Sequence, residues 1–407
     1  MNHKVYELLH DQQSRVMIRL CLLIAVFYIA WAFAQYQTVY LQGKGMSSSY
    51  IGTLNAISSM LAIFATTLWG IIADRINSIK KTFIIVSVGS GVLYGLIAFL
   101  PADFRYAALM FMIYCPLANF MKSPMYIQMD NFTIRTCAAH RINYGVVRSI
   151  GSLTFSLSSV LLSAWVIPRF GVPSTFVLFF VLVLITIGIT LRIPDPVVEK
   201  RNGQKPKLDP KVLFRNYFYV TFLIYAFIVY IAFGAEFSFF SYYLADKGIK
   251  ITNLGLVLAL RAIMEMPMLL IMQKLRHKFP LKWLILTASC LIGLECLGLG
   301  IIAKDMTSII PFMILFGLGN GVNIGTIANY LYKLAPTEMR ATAHSVYGAC
   351  TALSGVIGNF CGGFVLRAVG ASRFYLVLAG IIFSAAVFFF LTIFFGRNRQ
   401  NPADVKD

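Results

Sequence analysis

Ionisable side chains lie inside the long apolar runs of this 407-residue chain. An ionised group in apolar surroundings is costly unless it is paired or hydrated, so its presence there indicates a functional site. A guanidinium can bind hydroxyls or a carboxylate through two parallel hydrogen bonds, and a carboxyl can take up and release a proton. Seven residues qualify: Lys122, Asp130, Arg148, Glu236, Arg261, Glu265 and Glu295.

Arg148 is the most informative of the seven. Its segment reads Tyr144-Gly-Val-Val-Arg-Ser-Ile-Gly-Ser-Leu-Thr-Phe155, and Asp130 lies 18 residues before Arg148. Phe155 follows two helical turns later, and an aromatic face suits a sugar ring, a nucleobase or a phenyl group. We expect Arg148 to contact a substrate. The alternative is an ion pair between helices that only sets their packing.

Polar residues in other apolar runs extend the expected substrate site. Lys122 can pair with Asp130, with an acid on another helix or with an anionic substrate. Asn119 and Tyr126 share its helix face by their spacing. Either Gln35 or Gln37 is expected to line a cavity, because the two point to different faces. The candidate substrate-binding amides are Asn119, Gln35, Asn320 and Asn323.

The acids in the second half of the chain are candidates for proton coupling. Arg261 and Glu265 stand four residues apart, so they share a helix face and can neutralise each other. Glu236 and Glu295 have no oppositely charged neighbour in the sequence. A carboxyl in apolar surroundings binds a proton more readily than one in water. Alternatively, these groups form a static ion pair and neutral, hydrogen-bonded structural carboxyls.

Composition indicates the elements that must hold these groups. The chain is 58% hydrophobic and 13% charged, whereas a soluble domain is about half apolar and about a quarter charged. A soluble enzyme, a nucleic-acid-binding domain and a disordered chain are therefore excluded. Runs of about 20 apolar residues predict membrane-spanning helices. Twelve are present, at 17–41, 49–73, 82–100, 106–129, 143–167, 174–192, 217–244, 253–273, 283–303, 308–332, 343–366 and 373–395.

The net charge of +19 is a topology signal. If the N-terminus is cytoplasmic, 24 basic residues fall in cytoplasmic segments and eight in outside loops. Cytoplasmic loops carry an excess of Lys and Arg, so both termini are expected in the cytoplasm. The longest loop divides the chain into bundles at 1–192 and 217–407, with a cytoplasmic linker at 193–216. The predicted fold is an all-α membrane protein with two pseudo-symmetric six-helix bundles.

The two halves share short sequence patterns. Tyr40-Leu41-x-x-Lys44-Gly45 recurs as Tyr243-Leu244-x-x-Lys247-Gly248, at an offset of 203 residues. Tyr144-Gly145 recurs as Tyr347-Gly348 at the same offset. Two matches at one offset indicate duplication of a six-helix unit, a common construction among transporters.

The loop after the second run adds a motif. Gly70-Ile-Ile-Ala-Asp74-Arg75-Ile-Asn77, followed by Lys80 and Lys81, resembles the pattern Gly-x-x-x-Asp-Arg-x-Gly of the major facilitator superfamily. Asn77 stands where that pattern has glycine, and Asn also tolerates a left-handed turn. The resemblance covers essentially the whole chain. It implies that Gly70, Asp74 and Arg75 form a gating loop that stabilises the outward-open state; ordinary loop capping is the alternative.

The Arg148 segment resembles the fifth-helix signature of the lactose permease branch, shared in part by nucleoside and phenylpropionate permeases. The resemblance implies that Asp130 pairs with Arg148, that both contact substrate, and that Phe155 takes the place of a stacking tryptophan. The tenth run departs from lactose permease, because it carries Asn320 and Asn323 in place of the His and Glu that handle the proton. Lactose itself is therefore not supported.

These observations predict a secondary transporter. No set of residues typical of an enzyme, a metal site or a nucleotide-binding loop is present, so we expect no cofactor, no bound metal and a proton gradient as the driving force. The expected activity is proton symport of a sugar, a nucleoside or an aromatic acid by a monomer in the cytoplasmic (inner) membrane, without nucleic acid. The alternative is proton-coupled export of drugs or other amphipathic compounds. A silent receptor or scaffold is disfavoured by the seven charges.

Overall fold

Twelve long helices make up most of the described part of the chain. The structure is a computed structural model that describes residues 3–101, 104–195, 211–336 and 339–396, and it contains no strand in those ranges. The helices are α1 (His3–Phe33), α2 (Ser48–Ile76), α3 (Ile79–Gly95), α4 (Ala107–Ala139), α5 (Tyr144–Leu161), α6 (Ser174–Leu191), α7 (Tyr217–Asp246), α8 (Leu254–Lys278), α9 (Leu281–Ile301), α10 (Met306–Leu334), α11 (Arg340–Val369) and α12 (Ala371–Phe395).

Short segments extend some of these helices. After a single turn of 3-10 helix, α1 continues as Gln37–Gly43, and α3 ends in a similar turn at Leu96–Phe99. A widened turn at Leu162–Val166 joins α5 to Ile167–Phe170, and the short helix Lys211–Arg215 precedes α7. Each predicted apolar run coincides with one helix. The largest differences are in α1, which begins 14 residues before the predicted start at 17, and in α4, which continues ten residues beyond the predicted end at 129.

Eleven helical segments in the described ranges are long and apolar enough to cross a membrane. The exception among the twelve is α4. It is 33 residues long, so its composition and not its length excludes it. This helix contains three of the polar residues that the sequence analysis singled out, namely Lys122, Asp130 and Asn119. The all-α, polytopic membrane fold is confirmed.

The chain divides into two compact units. Unit 1 comprises Met1–Gly45 and Met60–Arg201, and unit 2 comprises Met46–Ser59 and Asn202–Asp407. The first part of α2 therefore belongs to unit 2, where the Ser48 hydroxyl donates to the Gly363 carbonyl at 3.0 Å. The boundaries 1–192, 193–216 and 217–407 stay a prediction, and residues 196–210 of the linker lie outside the described ranges.

Four helix pairs recur in the two units. In unit 1, α1 packs against α5 and α6, and α3 packs against α4 and α6. In unit 2, α7 packs against α11 and α12, and α9 packs against α10 and α12. Each of these pairs in unit 2 is the corresponding pair of unit 1 advanced by six helices, which supports the duplication seen in the sequence. In unit 2, α8 also packs closely against α10, and the described residues show no equally close packing of α2 against α4.

The repeated turn has the same conformation in both units. Gly45 and Gly248 have φ angles of +78° and +66°, a left-handed region that suits glycine. The preceding lysine lies over the tyrosine ring four residues before it, at 5.8 Å for Lys44 on Tyr40 and 5.6 Å for Lys247 on Tyr243. The repeated sequence pattern is therefore a repeated helix end.

Candidate functional site

Arg148 of α5 is held by tyrosines. Its Nη2 donates to the Tyr126 hydroxyl at 3.2 Å, and its Nη1 donates to the Ser152 hydroxyl at 3.4 Å. The guanidinium carbon lies 4.5 Å from the centre of the Tyr28 ring, within the range of a cation–π contact. The hydroxyls of Tyr28 and Tyr126 are 2.8 Å apart. Three helices of unit 1 thus meet at one guanidinium.

Gly151 explains how Tyr28 reaches this position. A Cβ atom at Gly151 would lie 2.6 Å from the Tyr28 ring, closer than real Cβ contacts allow. Any other residue there would push the ring away from α5. The glycine three residues after Arg148 therefore admits the aromatic ring that covers the guanidinium.

Asp130 does not pair with Arg148, which corrects the expectation. The Tyr144 hydroxyl donates to Asp130 Oδ1, and no ion pair joins Asp130 to Arg148 within the described residues. Tyr144 precedes Arg148 by one turn of α5. Asp130 and Arg148 therefore each bind a tyrosine hydroxyl, and both can form further hydrogen bonds.

Lys122 of α4 contacts aromatic faces. Its Nζ lies 4.2 Å from the centre of the Tyr94 ring and 5.9 Å from that of Trp31. The described part of the chain gives Lys122 no ion pair with an acid, so the pairing with Asp130 that the sequence allowed does not form. The side chain is half-buried. Its positive charge is stabilised by ring faces alone, which is weaker than pairing with a carboxylate.

The amide side chains of unit 1 are arranged differently from the expectation. Gln37, not Gln35, contacts the polar face of α4, since Asn119 Nδ2 donates to Gln37 Oε1 at 3.0 Å. Gln35 donates to the Trp31 carbonyl of its own helix at 3.2 Å. Phe155 is half-buried and, among the described residues, makes no contact with another aromatic ring. Asn119 thus pairs with Gln37, whereas Gln35 bonds within its own helix.

An aromatic group connects the two cations of unit 1. The ring centres of Trp31 and Tyr126 are 5.3 Å apart, and those of Tyr28 and Tyr126 are 6.1 Å apart. Lys122 contacts Trp31, and Arg148 contacts Tyr28 and Tyr126. Trp31, Tyr28 and Tyr126 are called the aromatic wall below.

In unit 2, Arg261 bridges two acids on different helices. Its Nη2 lies 2.6 Å from Glu236 Oε1 on α7 and 2.9 Å from Glu295 Oε1 on α9. All three side chains are buried, with exposed fractions of 6% for Arg261, 2% for Glu236 and 0% for Glu295. The expected Arg261–Glu265 pair is replaced by these contacts. Glu236 and Glu295, which lack a charged neighbour in sequence, acquire one in space.

The surroundings of this acid–base cluster are mostly apolar. The guanidinium of Arg261 lies 4.1 Å from the Phe316 ring centre and 4.5 Å from that of Phe240. Cys296 donates its thiol hydrogen to Glu295 Oε2 at 3.1 Å. Glu236 Oε2 is buried and has no hydrogen-bond partner among the described residues. Both carboxyl oxygens of Glu295 therefore have a hydrogen-bond partner, whereas only one oxygen of Glu236 has one among the described residues.

Glu265 lies one turn beyond Arg261 and contacts α10. Asn320 Nδ2 donates to Glu265 Oε2 at 2.9 Å. Glycines on α10 permit this close approach, because a Cβ at Gly317 would lie 2.5 Å from the Arg261 carbonyl and one at Gly321 would lie 2.7 Å from the Glu265 carbonyl. Asn323 is buried and interacts with the Tyr230 hydroxyl.

The predicted gating loop is described in part. Asn77 has φ +52°, the left-handed conformation expected where the family pattern has glycine. Arg75 is exposed and Gly70 has open space around its Cα. The side chain of Asp74 lies outside the described residues. The gating role of Gly70, Asp74 and Arg75 therefore stays a prediction.

Sequence reasoning did not assign roles to the hydroxyls and sulfurs that complete these sites. Tyr28, Tyr94 and Tyr144 were three of 20 tyrosines, and no charge pattern separated them from the rest. Tyr126 had a usable signal, because it stands one turn after Lys122 on the same face of α4. Cys296 also had one, since it is the neighbour of Glu295.

The comparison with known families decides the identity of the fold. A sequence model of the MFS_1 like family matches residues 17–377. The chain belongs to this family. This MFS protein is similar to the maltose permease of Geobacillus stearothermophilus, with 24% identity over 348 residues that cover 85% of this chain and 84% of the relative. It is also similar to the transporter YwbF of Bacillus subtilis (strain 168), with 23% identity over 360 residues that cover 88% and 87%.

Solved structures support the fold of the MFS protein. The nucleoside transporter NupG matches with a TM-score of 0.80 and 15% identity, covering 93% of this chain and 99% of that chain. A bacterial homologue of the human lysosomal transporter Spinster matches with a TM-score of 0.68 and 12% identity, covering 93% and 96%. The relatives are transporters and permeases, so this MFS protein is a membrane transporter and not an enzyme. The suspected superfamily is confirmed.

Proposed function

We propose that this MFS protein moves a small polar organic solute, namely a sugar, a nucleoside or an aromatic acid, across the cytoplasmic membrane together with a proton. Transport proceeds by alternating access in a monomer whose termini are both cytoplasmic. Arg148, Lys122 and Asn119 contact the solute, while Glu236, Arg261 and Glu295 handle the proton.

The groups in unit 1 support a polar solute with a ring. Arg148 offers a planar fork for hydroxyls or a carboxylate, and the aromatic wall offers ring faces beside it. A sugar or nucleoside substrate agrees with the names of two similar proteins, a maltose permease and a nucleoside transporter.

The observation that carries the proton proposal is the charge count of the buried cluster. Arg261 supplies one positive charge to Glu236 and Glu295, and all three side chains are buried. With both carboxyls ionised the cluster has a formal charge of −1, which is costly away from water. One bound proton makes it neutral. Glu236 Oε2 accepts no hydrogen bond among the described residues, and we propose it as the atom that takes up that proton.

Glu265 is the second candidate for the proton. It is half-buried and accepts a hydrogen bond from Asn320. An amide donor matches an ionised carboxylate, so this contact provides a place for Glu265 in its deprotonated form. Export of amphipathic compounds, the alternative function, gains no support from the names of the relatives.

Reconstituted protein tests the proposal. Proteoliposomes that contain a pH-sensitive dye should report proton entry when maltose, uridine or 3-phenylpropionate is added outside. Glu236→Gln should abolish solute-driven proton entry, because an amide cannot exchange a proton with the cluster. It should retain exchange of labelled solute across the membrane at equal concentrations, which requires no proton.

Asp246→Asn is the matched control, since Asp246 ends the same helix, α7, and is exposed. It should behave as the unmodified protein. Proton symport is refuted if solutes accumulate without any pH change. The assignment to Glu236 is refuted if Glu236→Gln still couples solute to protons.

A further inference from the structure

We propose that the substrate is a monocarboxylate with a ring, and that Lys122 binds its carboxylate while the ring stacks on the aromatic wall. This inference rests on the proposed function and names the charge class of its solute. The sequence alone did not indicate that charge, because three basic and four acidic groups within the membrane runs nearly balance.

The structure separates those charges by unit. Lys122, Arg148 and Asp130 lie in unit 1, whereas Arg261 and the acids Glu236, Glu265 and Glu295 lie in unit 2. Of the seven, unit 1 therefore has two cations and one anion. This excess of one positive charge is the observation from which the proposal starts.

Lys122 is the cation whose charge is not compensated. Its described contacts are the faces of Tyr94 and Trp31, and the structure shows no acid paired with it in the described ranges. Its position is the sixteenth of 33 residues in α4, far from either helix end. A lysine at membrane depth is costly without a counter-ion, so an anion that arrives from solution has a favourable place there.

Arg148 and Asp130 do not offer a competing partner. Arg148 donates to Tyr126 and Ser152, and Asp130 accepts from Tyr144. Asp130 pairs with neither cation directly in the part of the chain that the structure describes. Its negative charge offsets one of the two positive charges in the formal count and leaves Lys122 without an ion-pair partner among the described residues. One negative charge on the substrate then completes the count. A carboxylate carries one charge, whereas a phosphate monoester carries about 1.5 to 2 at neutral pH.

The ring of the substrate follows from the aromatic wall. Trp31 contacts both Lys122 and Tyr126, and the Tyr126 hydroxyl accepts from Arg148. A ring that stacks on Trp31 or Tyr126 is within reach of both cations. Its hydroxyls or second polar group can contact the Arg148 fork, while its carboxylate contacts Lys122.

Paired ligands test the charge class. Binding to the purified, detergent-solubilised protein is measured by calorimetry for glucuronate against glucose and for 3-phenylpropionate against 3-phenylpropanol, with propionate as a charge without a ring. At least one carboxylate with a ring should bind roughly tenfold more tightly than its neutral partner, because the neutral form leaves Lys122 uncompensated. Propionate should bind more weakly than that ligand. The pair that shows the preference distinguishes a sugar acid from an aromatic acid.

Variants of Lys122 assign the effect to this residue. Lys122→Gln should remove the preference for the carboxylate over its neutral partner, and Lys122→Arg should retain that preference. Lys247→Gln is the matched control, because Lys247 also lies over a tyrosine ring but belongs to unit 2 and donates to Ser372. It should bind as the unmodified protein does.

The ligand-free protein supplies a second measurement. Removal of an uncompensated, half-buried charge should raise the melting temperature of Lys122→Gln, whereas loss of a purely structural contact should lower it. The proposal is overturned if no carboxylate in the panel is preferred over its neutral partner, or if Lys122→Gln keeps the preference. Carboxylate binding without proton movement would refute symport and leave this inference intact. Proton-coupled transport of a neutral sugar would support symport and refute this inference.

Discussion

Arg261 and Glu236 meet at 2.6 Å although 25 residues separate them in the chain. The same guanidinium nitrogen also holds Glu295, so α7, α8 and α9 meet at one charged atom. A contact of this kind ties the local environment of three helices to the protonation of two carboxyls.

Arg261→Met should strongly destabilise the protein, because it leaves two acids without their buried cation. Breaking a buried ion pair from one side costs about 3–5 kcal/mol. The triple variant Arg261→Met, Glu236→Gln, Glu295→Gln should recover most of the lost stability, since no charge remains. Thermal unfolding in detergent measures both, and a triple variant no more stable than the single one would contradict the charge count.

Gly151→Ala should weaken solute binding by displacing Tyr28 from Arg148. The added Cβ would lie 2.6 Å from the Tyr28 ring, and overpacking of this kind costs about 1–3 kcal/mol. The control is Gly188→Ala in α6, where no atom lies within 4 Å of the added Cβ. The control should bind normally. Equal behaviour of the two variants in a binding assay would show that Tyr28 is not held by Gly151.

Tyr126→Phe should lower affinity for the solute roughly tenfold, because Arg148 loses an acceptor and Tyr28 loses its hydroxyl partner. Tyr114→Phe is matched to it, since Tyr114 lies on the same helix and donates to the Leu93 carbonyl at 2.9 Å. Only the first change touches a cation. An affinity that falls equally in both variants would indicate a general effect on α4.

Asp305 should make stability depend on pH at the start of α10. Its pKa lies below the ordinary value, first because the backbone amide of Ser308 donates to its carboxylate and then because the Ser308 hydroxyl does so. A folded-state pKa below the unfolded value means that the stabilisation is present above the unfolded pKa. It is lost as the pH falls through the folded pKa.

Melting temperatures of the unmodified protein and of Asp305→Asn test this dependence. Asn also caps helices well, so the substitution removes the charge and keeps a hydrogen-bond acceptor. The unmodified protein should melt higher at neutral pH, and the difference should shrink in acid. A difference that stays constant as Asp305 is titrated would show that its ionisation does not contribute.

The helices were predictable from the sequence because they depend on the length of apolar runs. Each run is read from consecutive residues, and the bilayer sets the required length. The repeated turn at Gly45 and Gly248 was detectable for the same reason, since four nearby residues define it. The ten-residue extension of α4 beyond 129 was missed because its polar residues end the apolar run and not the helix.

The sequence identified the charged residues of the sites but not the residues with which they pair. Arg148, Lys122, Glu236 and Arg261 stood out because each is costly in lipid. The choice between Glu265, one turn away, and Glu236 on another helix depends on how each helix is rotated about its axis. Local spacing contains no such information. The Tyr144–Asp130 contact was missed for a related reason, because a neutral hydroxyl leaves no charge pattern to pair with an acid.

The division of charge between the two units has a consequence for energetics. A carboxylate that offsets the surplus cation of unit 1 and a proton that offsets the surplus acid of unit 2 together carry no net charge. Moving such a neutral pair across the bilayer does no work against voltage, which acts only on net charge. Accumulation of the acid would then follow the acidity difference between the two sides and would persist when the electrical gradient is collapsed with a potassium ionophore.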